Sequence, residues 1–138
     1  MQYQWNGSAV GSLEYNGSDV VIVQASDYRL KKDITSITDG ITKVKQLKPV
    51  RYKWNDDATE KDKVSTFDGF VAHELQTVLP QAVLGAKDAT KVNEEGQTVP
   101  DYQGVTQDRI IPILTAALQE AIVEIETLKT KVAALEAG

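Results

Sequence analysis

The chain contains no cysteine and a single histidine, His73. Disulfides and cysteine-based metal sites are therefore excluded, and thiols say nothing about the redox compartment. Asp56, Asp57, Glu60 and Asp62 form a local acidic cluster, but the glycine and terminal glutamate of a calcium loop are missing. The cluster reads as a solvated loop, and neither a metal nor a cofactor is expected. Basic charge is also short: 15 Lys and Arg against 20 Asp and Glu give a net charge of -5. That balance argues against non-specific binding to nucleic acid or to an anionic membrane, both of which want a basic surface. No apolar run approaches the roughly 18 residues needed to cross a bilayer. The opening "MQYQWNGSAV" has neither a basic region nor an apolar core, so no signal peptide is expected there.

What is present suits one modest domain, or a small domain with appendages. There are 138 residues, 41% of them hydrophobic and 25% charged. Residues 1–25 read as β structure. "YQWNGSAV" and "LEYNGSDVVIV" repeat one phrase, an aromatic followed by Asn-Gly-Ser. Asn6-Gly7 and Asn16-Gly17 are hairpin-turn signals, because the turn demands positive φ at both central residues. Asn-Gly-Ser also fits a glycosylation acceptor, but the turn reading prevails without a secretion signal. So short a segment buries no core alone. It is expected to continue a larger β structure or to pair with copies of itself.

The middle of the chain reads as a small mixed α/β body. Ile37, Ile41, Val44 and Leu47 fall at helical spacing and predict an amphipathic helix over 34–48, weakened by Gly40 and stopped by Pro49. "VRYKW", Val50 to Trp54, alternates as a strand, and 55–66 is a polar loop. "FDGF" reads as a turn, followed by a helix of about two turns that ends near Pro80. Val83 and Leu84, then Val99 and Tyr102, read as short strands on either side of a polar hairpin or loop.

From Thr106 the pattern changes. Ile111, Leu114, Leu118, Ala121, Ile125, Leu128, Val132 and Leu135 alternate spacings of 3 and 4, an unbroken a/d seam over four heptads. Glu124 and Lys131 fall at g, and Lys129 and Glu136 at the following e. Across a parallel seam, Glu124 meets Lys129 and Lys131 meets Glu136, which favours in-register association. A core-packing helix of a monomer would show a wider apolar face. Pro112 suits a first turn or forces a kink.

"QASDYRLKKDI", Gln24 to Ile34, joins the β lead-in to this body. Ser26 and Lys31 are five residues apart. A serine hydroxyl needs a base within hydrogen-bond reach to act as a nucleophile. Lysine serves in place of histidine when its amine spends part of its time neutral. The alternative is a linker serine beside a solvated lysine.

The phrases that follow resemble, in order, the C-terminal intramolecular chaperone domain of phage tail spikes and tail fibres, whose best-known member caps the endosialidase tail spike. "SDYRLKKDI" resembles its opening, "LKPVRYKW" its helix-to-strand phrase, "GFVAHELQTVLPQAV" its Gly-Phe-Ile-Ala-Gln/His-Glu-Leu phrase, and "VTQDRIIPILTAALQEAIVEIETLKTKVAALE" its closing helix. The likeness runs over residues 26–136. It implies a homotrimeric chaperone that guides an upstream β-rich fibre into register and then cuts itself off with a Ser-Lys dyad. Carried over by residue, Ser26 matches the nucleophile and Lys31 the base, with Lys32 a poorer match. Attack by Ser26 on the carbonyl of Ala25 closes a five-membered ring, whereas attack on its own carbonyl closes a strained four-membered one. The Ala25–Ser26 bond is therefore preferred, and Ser26–Asp27 stays open if a serine from another chain attacks. Asp27, Arg29 and His73 are supporting candidates; Arg29 matches the motif, and His73 has a plain packing role as its alternative.

These readings add up to an α+β chain with a β lead-in over 1–25, a chaperone body over 26–105 and a coiled-coil helix over 106–138, assembled as a homotrimer. Its partners are copies of itself and the fibre upstream in cis. Host cytoplasm during phage assembly is the expected setting, with the lead-in kept in the virion fibre and the chaperone released. A cap that trimerises but never cuts is the main alternative, and a receptor-binding fibre tip is a third.

Overall fold

The computed structural model describes residues 2–5, 8–15, 17–55 and 64–138. It divides into two units, Met1–Ser36 and Ile37–Gly138. In the first, β1 (Gln2–Trp5), β2 (Ser8–Tyr15) and β3 (Val20–Gln24) form an antiparallel sheet in that order. Gly17, in the turn between β2 and β3, has φ +100°, a conformation open to a residue without Cβ. Asn6, Gly7 and Asn16 lie outside the described residues, as does the acidic cluster of Asp56, Asp57, Glu60 and Asp62. The ladder pairs Leu13 with Ile22 and Tyr15 with Val20. Ile22 is 81% exposed and Val20 67%, so β3 leaves β-branched side chains bare.

The second unit is the mixed α/β body with its long terminal helix. In chain order it runs α1 (Gly40–Val44), β4 (Val50–Tyr52), β5 (Phe67–Gly69), α2 (Ala72–Val78), β6 (Val83–Leu84), β7 (Thr90–Val92), β8 (Thr98–Pro100), β9 (Gly104–Val105) and α3 (Ile111–Glu136). The strands pair antiparallel in twos: β4 with β5, β6 with β9, and β7 with β8. The core is small. Leu75 from α2, Leu79, Ala82, Val83, and Ile110 and Ile113 at the start of α3 form one buried cluster. Leu79 is fully enclosed. Burying a leucine this way stabilises by roughly 1.5–3 kcal/mol.

Three expectations are corrected. The helix expected over 34–48 is only Gly40–Val44. Asp39 and Gly40 open it rather than interrupt it, because the start of α1 is pressed onto the backbone of α3. A Cβ on Gly40 would lie 2.3 Å from Ala117 N and 2.7 Å from Ala116 C. The orphan amides at this helix start find a distant acceptor: Gly40 N and Ile41 N donate to Glu120 Oε1 and Oε2 at 2.8 and 2.9 Å. Second, Phe67-Asp68-Gly69 is a strand, not a turn. Its register on β4 sets Asp68 opposite Arg51, and their side chains pair at 2.7 Å. Third, the strand placed at Tyr102 lies at Gly104–Val105. Asp101 N instead donates to Ala89 O at 2.7 Å, closing the β7–β8 hairpin.

The last helix shows two separate faces. Ile113 and Ala116 are buried against the body, with Ala117 and Glu120 half-buried on the same side. The a/d positions point elsewhere: Ile111, Leu118 and Leu128 are 61%, 63% and 59% exposed. Beyond Ala121 every residue of the helix is exposed. Pro112 occupies the first turn, where a missing N–H costs nothing.

Candidate active site

Both dyad candidates belong to the first unit. β3 ends at Gln24, so Ala25 and Ser26 are the first residues outside the sheet ladder. Five fully extended residues would carry Lys31 about 17 Å away from Ser26. The chain turns back instead, through one turn of 3-10 helix at Tyr28–Leu30, which advances only about 2 Å per residue. Leu30 N donates to Asp27 O, and Lys31 N to Tyr28 O, each at 3.1 Å. As a result Lys31 Nζ donates to Ser26 Oγ at 2.7 Å. Lys31, not Lys32, makes this contact.

Asp27 sets the turn. It caps the 3-10 turn, its Oδ1 accepting the Arg29 backbone N–H at 2.9 Å. Arg29 closes over the same carboxylate as a fork, Nε to Oδ1 and Nη2 to Oδ2, both at 2.9 Å. The Arg29 guanidinium, and then its backbone N–H, hold the Asp27 carboxyl below its usual range, and Asp27 in turn raises Arg29. Ser26, Asp27, Arg29 and Lys31 are all exposed. An exposed ion pair adds little stability, so the fork acts on conformation: it holds the turn that returns Lys31 to Ser26. The sequence showed Arg29 as an available donor; the structure shows its fork taken up by Asp27. An aspartate before a one-turn helix is the signal for the cap, but the fork two residues along is a rotamer choice that no spacing encodes.

His73 lies elsewhere. It belongs to the second unit, in the first turn of α2, half-buried, lining a shallow recess with Lys87, Asp88, Asp101 and Tyr102. Among the described residues no group of three or more His, Cys, Asp or Glu side chains stands together as a metal site, and no helix is long and apolar enough to cross a membrane.

A strand end, a serine just outside it and a lysine folded back onto that serine define a Ser-Lys pair within the first unit. Residues 26–84 match the family described as chaperone of endosialidase, whose name also classes it as a peptidase; the match begins at Ser26. This segment is a C-terminal intramolecular chaperone domain of that family.

Proposed function

We propose that this chain is an autoprocessing trimeric chaperone, with Ser26 as nucleophile and Lys31 as base. The observation that carries the reading is the 2.7 Å contact between Lys31 Nζ and Ser26 Oγ, in a segment that matches a chaperone family classed as a peptidase. In the reaction, Ser26 Oγ adds to the Ala25 carbonyl carbon while neutral Lys31 takes the hydroxyl proton. The C–N bond to Ser26 then breaks as Lys31 returns that proton to the departing amine. This leaves Ala25 esterified to Ser26, and water hydrolyses the ester to a carboxylate at Ala25 and a free α-amine at Ser26. Backbone amides are the first candidates to steady the oxyanion. Attack by a neighbouring chain's serine would move the cut to Ser26–Asp27.

In the single chain Lys31 donates to Ser26, whereas a base must accept. Desolvation favours the neutral form of a lysine, and both side chains are exposed here. Neighbouring chains in a trimer would cover them, so that cutting follows assembly. The bare apolar residues of β3 fit a strand set that continues an upstream β fibre. There a slip of one residue turns every side chain over, and a trimeric end that raises effective concentration corrects such errors. The exposed a/d seam of α3 is the surface that would join the three chains. We place the events in the host cytoplasm during phage assembly, with residues 1–25 kept in the fibre.

A denaturing gel tests this reading. Cleavage should release a fragment whose first residue is Ser26 or Asp27, while Ser26→Ala and Lys31→Met stay whole. A wild-type chain that stays at 15.1 kDa beside an unchanged Ser26→Ala control supports the non-cutting cap instead.

A further inference from the structure

Beside the start of α3 the body leaves an open, mainly apolar groove of about 820 Å³. Tyr52, Trp54 and Phe70, from β4, β5 and the residues beside them, line it together with Val105, and so do Ile111 and Leu114. Tyr52 and Trp54 meet edge to face at 5.3 Å, which presents an aromatic ledge. Ile111 and Leu114 are also the first a and d residues of the seam, 61% and 48% exposed. The groove and the seam are therefore one continuous apolar surface, and whatever zips the seam reaches the groove.

We propose that the groove receives the first turns of α3 from a second copy of this chain. The register comes from charge. Glu124 opposite Lys129, and Lys131 opposite Glu136, are satisfied together only when the helices run parallel and unshifted. That register brings the neighbour's Ile111, Leu114 and Leu118 level with this chain's groove. The contact is heterologous: the body of one chain grips the helix of the next, and a ring results when the rotation closes. A four-heptad seam with alanine at one d position specifies chain number weakly, and the groove supplies the missing specification. Large aromatic side chains in such a pocket carry a disproportionate share of binding energy.

This inference rests on the self-association proposed above, and the test separates the two. In a Ser26→Ala, Trp5→Phe background, Trp54 is the only tryptophan. Sedimentation equilibrium and Trp54 emission are recorded over a concentration series. The expected result is a blue shift of Trp54 emission that tracks assembly, and a midpoint concentration raised at least about tenfold by Trp54→Ser with unchanged far-UV circular dichroism. Assembly with constant Trp54 emission overturns the groove contact and leaves the seam standing. A wild-type chain that stays monomeric at high concentration overturns self-association and the groove contact with it. An Ile125→Asn, Leu128→Asn variant, altered only in the seam, should also dissociate; if it assembles with the Trp54 shift intact, the seam-derived register is refuted.

Discussion

Replacing Gly40 by alanine should destabilise the second unit, although helix propensity points the other way. Alanine in a helix interior is favoured over glycine by about 1 kcal/mol, and Gly40 opens α1. The close approach to α3 reverses that sign. The new Cβ would lie 2.3 Å from Ala117 N and 2.7 Å from Ala116 C, where carbon wants about 3.5 Å. α1 must withdraw by roughly 1 Å, because the obstacle is helix backbone and has no rotamer to change. The withdrawal also stretches the bonds from Gly40 N and Ile41 N to Glu120, now 2.8 and 2.9 Å. Overpacking costs about 1–3 kcal/mol, and weakening hydrogen bonds to a half-buried carboxylate adds about 1–2 kcal/mol. Against the propensity gain, the net loss is about 1–4 kcal/mol. Urea unfolding of the Ser26→Ala chain at one fixed concentration measures it, since assembly makes apparent stability depend on concentration. Gly104→Ala is the control, because its Cβ would meet nothing within 4 Å, and it should shift stability by less than about 0.5 kcal/mol. A Gly40→Ala chain as stable as its parent would refute the close-approach argument.

Three further outcomes follow from the same contacts. Leu79→Ala, at the one large side chain fully buried among the described residues, should cost about 2–5 kcal/mol in the same urea assay. The Asp27 carboxyl is depressed by Arg29, so the fork is fully present above the ordinary carboxylate range and is lost as pH falls through the lowered value. Cleavage measured by gel should show no loss assignable to Asp27 until pH drops below that range, and Asp27→Asn should slow it at neutral pH. Residues 122–136 are exposed in the single chain, and isolated helices of this length are marginal in water. Circular dichroism should therefore show helix content rising with concentration, and Ile125→Asn, Leu128→Asn should abolish that rise.

Some of this was legible in residue order alone. The heptad seam, the strands of the lead-in, the β7–β8 hairpin and the Ser26–Lys31 spacing are local patterns. Periodicity and turn chemistry act within a few residues, so a sequence displays them. The same holds for the family phrases from Ser26 onward. What tertiary structure alone decided involves partners far apart in the chain. Gly40 looks like a weak point in a helix until α3, 80 residues on, is laid against it with Glu120 as its cap. Phe67–Gly69 looks like a turn until β4 offers it a ladder. The seam reads as one stripe, but only packing shows that Ile113 and Ala116 take the body side and leave the a/d residues other than Ala121 exposed. The Ser26–Lys31 contact lies between. Its spacing is in the sequence, but the 2.7 Å distance depends on a turn held by the rotamers of Asp27 and Arg29. Those rotamers are set by three-dimensional contact, which no linear spacing records.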